Sequence, residues 1–339
     1  MERIRLGRTG LEVTRTAFGV LPLQRVPLEE AARILRRAYE GGINFFDTAR
    51  AYTDSEEKIG HALSGVRDKI ILATKSGATD RKTLLSHLET SLRNLRTDHV
   101  DLLQLHNPDT LPDPDDPESA YAGLLEARAK GMTRFIGITN HSLARAQAAV
   151  DSGLYDTMQF PLCSVASEED LALAERCRKR NVGLIAMKPL SGGLLTNARA
   201  AFAFLYQYEN VVPIWGIQRM SELEELLAYA DNPPALDAAV RAQIEKDRKE
   251  LAGNFCRGCG YCLPCPEEIP IPVAARIGLL LRRAPFAPYL TPAWQEKMQR
   301  IENCRECGLC RSRCPYGLDT PRLLKEMLLD YQTFYREHK

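Results

Sequence analysis

The sequence lacks the features that would place the protein in a membrane, on a nucleic acid or outside the cell. It contains no run of about 18 uncharged apolar residues, which a membrane-spanning helix requires. Its 45 basic and 44 acidic residues give a formal net charge of +1, which favours neither nucleic acid nor an anionic membrane as partner. The N-terminal segment MERIRLGRTGLEV has charges but no apolar core, so we expect no signal peptide and a cytoplasmic location.

A G-x-G-x-x-G turn after the first predicted strand is also absent, and that turn is typical of open, doubly wound dinucleotide-binding sheets. Between residues 14 and 231, short apolar runs alternate with segments of helical period. The predicted strands are Thr16–Val20, Asn44–Thr48, Ile70–Lys75, Asp101–His106, Phe135–Asn140, Thr157–Cys163, Gly183–Pro189 and Val211–Ile217. Because these runs are almost continuously apolar, they indicate parallel strands covered by helices. Eight strand–helix units predict a (β/α)8 TIM barrel.

Polar side chains recur where the predicted strands end. They are Asp47, Lys75, His106, Asn140 and Lys188, with Gln159 midway along the sixth strand. Because the active sites of such barrels lie at the C-terminal ends of the strands, these residues predict a catalytic centre there.

Eight of the ten cysteines lie in two runs near the C-terminus, and each run ends in Cys-Pro. The second run has the spacing C-x2-C-x2-C-x3-C-P of bacterial [4Fe–4S] ferredoxins. Zinc sites more often use two separated C-x2-C pairs, so the runs favour iron–sulfur clusters and a reducing compartment. We predict a barrel over residues 1–253 and a small, mainly helical, ferredoxin-like domain with two clusters over residues 254–339.

The fourth cysteine of each run ordinarily serves the other cluster in ferredoxins with two clusters. We therefore predict crossed ligation, although the first run has two residues rather than three before its last cysteine. One predicted ligand set is Cys256, Cys259, Cys262 and Cys314, and the other is Cys304, Cys307, Cys310 and Cys265.

Four motifs in order resemble those of the aldo-keto reductase family. FFDTARAYTDSE contains Asp47 and Tyr52, ILATKSG contains Lys75, and DLLQLHNP contains His106. The opening LGRTGLEVTRTAFG is similar to the family's N-terminal hairpin and first strand. With CRGCGYCLPCP and CRECGLCRSRCP, the chain resembles a subgroup that carries a C-terminal ferredoxin-like domain.

The resemblance implies that Tyr52 donates a proton to a small carbonyl substrate. Hydride reduction of a ketone leaves an alkoxide, and a tyrosine of ordinary pKa, about 10, is a reluctant donor. We expect Lys75 to lower the pKa of Tyr52, Asp47 to hold Lys75, and His106 to orient the carbonyl.

The resemblance further implies NADPH as cofactor. Asn140 and Gln159 match residues that hold the nicotinamide carboxamide. Two further segments match phosphate contacts, and the residues concerned are Lys188, Pro189, Leu190, Ser191 and Gly193 for the pyrophosphate, and Gly216, Gln218, Arg219 and Glu225 for the adenosine 2′-phosphate. The family usually has Pro-Gly at Trp215-Gly216 and Glu-Asn at Glu225-Leu226, so NADH also stays open.

Three hypotheses for the function follow. The first is an NADPH-dependent carbonyl reductase whose clusters are structural or sense oxygen. The second is an electron-transfer reductase whose clusters exchange single electrons with a substrate, a flavin or an external ferredoxin. A barrel phosphate site could hold FMN, although no flavin-specific motif is present. The third is a redox or oxygen sensor on a barrel scaffold.

Overall fold

The computed structural model describes residues 1–251, 255–283 and 286–338. The chain divides into two compact units, which we call the barrel unit (Met1–Pro189 with Arg199–Val240) and the cysteine unit (Leu190–Ala198 with Arg241–Lys339). The domain boundary predicted between residues 253 and 254 lies outside the described residues. No helix in the described ranges is long and apolar enough to cross a membrane.

The barrel unit is a closed barrel of eight parallel strands, preceded by a hairpin. The strands are β1 (Arg3–Arg5), β2 (Glu12–Thr14), β3 (Ala17–Gly19), β4 (Phe45–Asp47), β5 (Ile71–Ser76), β6 (Val100–His106), β7 (Thr133–Thr139), β8 (Thr157–Pro161), β9 (Gly183–Met187) and β10 (Val211–Gly216). Neighbours pair in chain order from β3 to β10, and β10 closes on β3. Each of the eight predicted strands overlaps one barrel strand, so the TIM-barrel prediction is confirmed.

Helices alternate with the barrel strands. They are α1 (Leu28–Glu40), α2 (Ser55–Leu63), α3 (Arg81–Leu95), α4 (Ala120–Ala129), α5 (Leu143–Ser152), α6 (Glu168–Arg180), α7 (Ala198–Leu205) and α8 (Met220–Asp231). Short polar side chains start several of them, as the Asp80 carboxylate does by accepting from Thr83 N at 2.8 Å. Where such a cap is present, it fixes the residue at which the loop ends and the helix begins.

The hairpin closes the barrel at the end where the strands begin. Its residues Leu6, Leu11 and Val13 are buried with the inward side chains of the barrel strands. Gly7 has a φ of +51°, and a Cβ there would lie 2.2 Å from Gly183 N. The hairpin therefore approaches the start of β9 so closely that only glycine fits, and access to the barrel interior is left to the opposite end.

The cysteine unit is built from short helices around one long helix. The helices are α9 (Ala238–Glu250), α10 (Ile271–Ala274), α11 (Ile277–Arg283), α12 (Pro292–Gln299), α13 (Leu309–Ser312) and α14 (Thr320–His338). Helix α14 contributes Leu324, Leu328 and Tyr331 to a compact apolar core. Helices α10 and α11 are separated by Ala275 and Arg276.

Candidate active site and cysteine cavities

Three adjacent strands bring the predicted catalytic residues together. Asp47 ends β4, Lys75 is the penultimate residue of β5, and His106 ends β6. Tyr52 lies on the turn that leads from β4 to α2, because its N–H bonds to Ala49 O at 3.0 Å and its carbonyl accepts from Ser55 N at 2.8 Å. Parallel strands place their C-terminal ends at the same edge, so the four side chains meet there.

A buried ion pair lies at the centre of this group. Lys75 Nζ is 2.6 Å from Asp47 Oδ2 and 2.6 Å from Thr48 O. The other carboxylate oxygen, Asp47 Oδ1, accepts from Gln104 Nε2 at 3.2 Å. Burial raises the pKa of Asp47 and lowers that of Lys75, and their mutual contact opposes both shifts. The pair is therefore held by hydrogen bonds to Thr48 and Gln104 in a buried site.

Tyr52 lies directly beside this pair. Lys75 Nζ is 5.1 Å from the centroid of the Tyr52 ring, and the His106 ring meets the Tyr52 ring edge-on at 5.6 Å. Burial, followed by the Asp47 carboxylate, raises the pKa of Tyr52. This differs from the sequence-based expectation that Lys75 lowers the pKa, because burial disfavours the phenolate and the Asp47 carboxylate disfavours it further. Tyr52 is thus a protonated phenol, which is the form that an acid needs.

His106 is a neutral imidazole. Burial, and next the Lys75 ammonium, lower its pKa to about 3. A neutral imidazole still offers one N–H donor, so His106 can bind a carbonyl oxygen without carrying a charge.

Three further polar residues of this site were not among those predicted from the sequence. Gln104, two residues before His106 on β6, shares the inward face of that strand and bonds to Asp47. Glu56 is buried, accepts from Thr74 Oγ1 at 2.7 Å, and its charge favours the protonated form of Lys75. His141 is buried, and burial, Lys188 and His106 all lower its pKa. The strand period could have indicated Gln104, whereas Glu56 and His141 needed the folded chain.

The two predicted carboxamide contacts differ in their bonding. Asn140 donates from Nδ2 to Pro108 O at 3.0 Å and accepts at Oδ1 from Ser142 N at 2.8 Å. Gln159, on β8, bonds to Asp47. Gln159 Oε1 is buried and has no hydrogen-bond partner within the described structure. A buried acceptor without a donor suits the N–H of an amide ligand, so this residue fits a nicotinamide.

The segment after β9 has an unusual backbone. Lys188 and Ser191 have φ values of +58° and +50°, and Gly192 and Gly193 follow with +67° and +90°. The turn is closed within itself, because Gly193 N–H donates to Leu190 O at 2.9 Å and Leu195 N–H donates to the same oxygen at 3.1 Å. The two glycines leave room for a ligand to approach this backbone closely. Lys188 and Pro189 belong to the barrel unit, whereas the rest of the segment, including Leu190, belongs to the cysteine unit.

The predicted 2′-phosphate segment is already bonded internally. Arg219 Nε donates to Glu222 Oε1 at 2.8 Å, and Glu222 Oε2 accepts from Gln218 N at 2.9 Å. Glu225 accepts from Tyr229 OH at 2.8 Å, and Gly216 is the last residue of β10. A carboxylate therefore occupies the first turn of α8, where a phosphate would otherwise receive backbone N–H groups.

In place of the family's proline, Trp215 fills space in the outer layer of the barrel. It is buried and stacks on Phe202, with ring centroids 5.6 Å apart. This substitution is explained by packing against α7 and needs no role in cofactor binding.

The eight clustered cysteines line two cavities of the cysteine unit. A cavity of about 140 Å³ is lined by Cys262, Cys265, Cys304, Cys307 and Cys310. A second, smaller cavity is lined by Cys256, Cys259, Cys262 and Cys314. Within the described ranges, no three His, Cys, Asp or Glu side chains are grouped for a single metal ion. Thiols around a cavity suit a multi-iron cluster better than one zinc ion.

The barrel sequence matches a known family. Residues 15–201 match the model of the aldo/keto reductase family. The chain belongs to the aldo/keto reductase family. Residues 255–319 match the model of a 4Fe-4S dicluster domain. The resemblance inferred from the motifs is therefore confirmed for both parts of the chain.

Curated relatives of this aldo/keto reductase are oxidoreductases. An uncharacterized oxidoreductase of Bacillus subtilis, YrpG, is 32% identical over 226 residues, covering 58% of this chain and 68% of the relative. The aldo-keto reductase dtxS3 of Metarhizium robertsii is 29% identical over 286 residues, covering 66% and 76%. L-Galactose dehydrogenase of Arabidopsis thaliana is 32% identical over 210 residues, covering 56% and 66%.

Solved structures share the barrel. The holo form of an aldo-keto reductase from Bacillus halodurans has a TM-score of 0.63 at 22% identity and covers 73% of this chain and 96% of its own. An aldo-keto reductase from Klebsiella pneumoniae in complex with NADPH has a TM-score of 0.63 at 20% identity, covering 72% and 94%. At these identities the likeness extends to the fold alone.

We expect His106 to stay neutral far below the ordinary histidine pKa of about 6.5. The pKa of His106 is about 3 in the folded protein, whereas the unfolded chain keeps the ordinary value of about 6.5. As the pH falls from about 6.5 toward 3, the unfolded chain therefore takes up a proton first, and this contribution to folding stability is lost. Isotope-labelled histidine NMR should show ring signals of His106 that do not move between about pH 8 and pH 5. His106→Gln assigns those signals by removing them, and a midpoint near 6.5 would contradict the burial argument.

Proposed function

We propose that this protein is an NAD(P)H-dependent carbonyl reductase with Tyr52 as proton donor. The observation that carries the proposal is the buried Lys75–Asp47 pair at 2.6 Å beside Tyr52. Lys75 is buried at a strand end and already neutralised by a carboxylate. If packing were its only function, an apolar residue would serve better there. Its value lies in the phenolate that forms when Tyr52 gives up its proton.

Proton transfer is the step that the residues of this chain perform. The neutral His106 donates a hydrogen bond to the carbonyl oxygen and sets its direction. A bound reduced nicotinamide dinucleotide would supply hydride to the carbonyl carbon. As the oxygen gains electron density, Tyr52 gives it the hydroxyl proton, and the alcohol leaves while Tyr52 remains as phenolate.

Lys75 then stabilises the product form of Tyr52. The raised pKa of Tyr52 keeps the phenol protonated before the reaction. The Lys75 ammonium stabilises the negative charge of the Tyr52 phenolate once that charge has formed. A proton from solvent restores the phenol. This arrangement stabilises the transition state more than the ground state, which is what raises the rate.

The dinucleotide site has its best support at its two ends. Gln159 Oε1 is a buried acceptor without a partner among the described residues, and it suits a carboxamide N–H. Gly192 and Gly193, both at positive φ, let a pyrophosphate approach the backbone closely. Asn140, Lys188, Pro189, Leu190, Gly216, Gln218 and Glu225 stay predictions from the resemblance. NADPH is proposed first, with Arg219 as its phosphate partner after it leaves Glu222.

We further propose two [4Fe–4S] clusters with crossed ligation. The smaller cavity is lined by the four cysteines predicted for one cluster, and the larger one by the four predicted for the other together with Cys262. These clusters are proposed as structural or oxygen-sensing elements of the reductase.

A second candidate function is single-electron exchange with an outside carrier. The two cavities share Cys262 as a lining residue, so clusters there would be neighbours. Cys307 is exposed, and the nearby Arg311 and Arg313 are exposed without a carboxylate partner in the described part of the chain. An acidic carrier such as a ferredoxin would be attracted to this surface.

Substitution Tyr52→Phe separates the two candidates. We expect carbonyl reduction to fall about 10²- to 10⁴-fold, because the variant lacks the proton that the alkoxide requires. The anaerobic measurement is the rate of carbonyl-dependent NADPH oxidation, alongside cluster reduction followed by absorbance and EPR. Cluster reduction that persists in the variant would support electron exchange as a separate activity.

Tyr39→Phe is the matched control, because Tyr39 lies at the end of α1, just before β4 begins, and thus at the end of the barrel opposite to the active site. It should keep the full rate of carbonyl reduction. Full activity in Tyr52→Phe would rule out the assigned proton donor, provided that both variants contain the same amount of iron.

Glu222→Gln tests the proposed phosphate contact. Removing this carboxylate releases Arg219 and removes a negative charge from the first turn of α8, so affinity for NADPH should rise about tenfold relative to NADH. Dissociation constants of both dinucleotides from fluorescence titration give the ratio. Glu224→Gln, which changes the neighbouring Arg37–Glu224 pair, is the control. An unchanged ratio would remove Arg219 from the site.

Paired cysteine substitutions test the crossed ligation. The double variant Cys256→Ser/Cys314→Ser should keep one cluster, about four irons, because both changes fall on the same cluster. Cys256→Ser/Cys265→Ser should damage both clusters. Iron analysis and EPR of the reduced proteins give the counts, with Cys163→Ser as a control that keeps about eight irons. Equal losses in the two double variants would exclude the crossing.

A further inference from the structure

We propose that Arg276 is a positioning residue that makes dinucleotide binding depend on the cluster held by Cys256, Cys259, Cys262 and Cys314. It does so by fixing the nucleotide loop, which we define as residues 190–194. The inference rests on the proposed function, because that function assigns the pyrophosphate to this loop. All the contacts that carry it lie inside the cysteine unit.

Arg276 bonds directly to the nucleotide loop. It lies at the interruption between α10 and α11, and its Nη1 donates to Gly192 O at 2.9 Å. A Cβ built on Gly192 would lie 3.0 Å from that same Nη1 and 3.3 Å from Arg257 O. The loop is thus in close contact with both Arg276 and the first cysteine run.

The other side of Arg276 faces the first cysteine run. A Cβ built on Gly258 would lie 2.7 Å from Arg276 Cζ, so the guanidinium covers this glycine. Gly258 stands between two predicted cluster ligands, and its N–H bonds to Cys256 Sγ at 3.3 Å. One side chain therefore connects a cluster loop with the nucleotide loop.

The backbone of the nucleotide loop needs such support. Ser191 is a non-glycine residue at a φ of +50°, and residues in such regions cost about 1–3 kcal/mol unless their surroundings impose them. A second arginine contributes at the far end, where Arg283 Nε donates to Leu194 O at 2.8 Å. Arg283 is held in turn by Asp247 and Glu250. The positive-φ conformation of the loop is therefore held by two arginines of the cysteine unit.

Cluster assembly determines whether the Arg276 guanidinium can pack on Gly258 in the first cysteine run. Four cysteine ligands converge only when the iron is bound, and the chain between them is ordered by the same event. Arg257 and Gly258 lie between the first two ligands, so loss of the cluster releases the surface on which Arg276 rests. Arg276 then no longer restrains Gly192, and the loop loses the geometry that suits a diphosphate.

The experiment measures dinucleotide affinity rather than turnover. Dissociation constants for NADPH and NADH are determined anaerobically by fluorescence titration on the cluster-loaded full chain, on chelator-treated cluster-free chain and on Arg276→Ala. We expect both cluster removal and Arg276→Ala to weaken binding about 5- to 150-fold, a typical range for coupling between two sites. Arg276→Ala should keep its full iron content.

Arg282→Ala is the matched control. Arg282 lies on α11 and pairs with Asp330, away from the nucleotide loop. It should bind dinucleotide as the parent protein does. If Arg276→Ala loses iron, Arg276→Lys replaces it, because lysine keeps the charge beside the cluster but cannot both cover Gly258 and bond to Gly192.

Three outcomes overturn the inference, and they are distinguishable. Unchanged affinity in iron-loaded Arg276→Ala or Arg276→Lys excludes the positioning role. Unchanged affinity after chelation excludes dependence on the cluster. Failure of the cluster-loaded parent protein to bind either dinucleotide overturns the proposed function itself. In that case hydrogen exchange of residues 190–194, compared with and without clusters, still tests whether Arg276 orders the loop, and equal protection would exclude it.

Discussion

The buried contact between Lys75 and Asp47 is the interaction on which the active site depends. Two buried charges are stable only if they are paired and hydrogen-bonded. The Thr48 carbonyl and Gln104 supply such bonds at 2.6 Å and 3.2 Å. Removing either partner would leave an uncompensated charge at the end of three packed strands. The barrel therefore has to hold β4, β5 and β6 in one register, and the same register places Tyr52.

In the reaction that we propose, the chemistry follows from the order in which charges appear. Before reaction the pair is internally neutral, Tyr52 is protonated and His106 is uncharged, so a carbonyl compound meets donors but no net charge. The negative charge arises only on Tyr52, next to an ammonium that is already in place. Such preorganisation avoids rearranging solvent or side chains during the reaction.

The sequence predicted the parts of the molecule that depend on local pattern. Apolar strands ending in Asp47, Lys75 and His106 indicated both the barrel and its active end. It could not predict the direction of the Tyr52 pKa shift, because that depends on burial and on the Asp47 carboxylate. Nor could it show that Arg219 is paired with Glu222, since either partner could have faced a phosphate. The predicted ligand pairing of the cysteines remains to be tested, although their grouping around two cavities agrees with it.

The discontinuous make-up of the cysteine unit has a consequence for how the protein is made. Gly192 O accepts a hydrogen bond from Arg276, which lies 84 residues later in the chain and is therefore synthesised after it. At ribosomal speeds of about 5–20 residues per second, this partner is synthesised on the order of ten seconds after the loop. Until then the connection between β9 and α7 lacks the hydrogen bond that Arg276 donates to Gly192. The barrel strands can pair during synthesis, but this connection reaches its final form only near the end of translation. A chain truncated before the cysteine runs would therefore have a barrel with one unfinished loop.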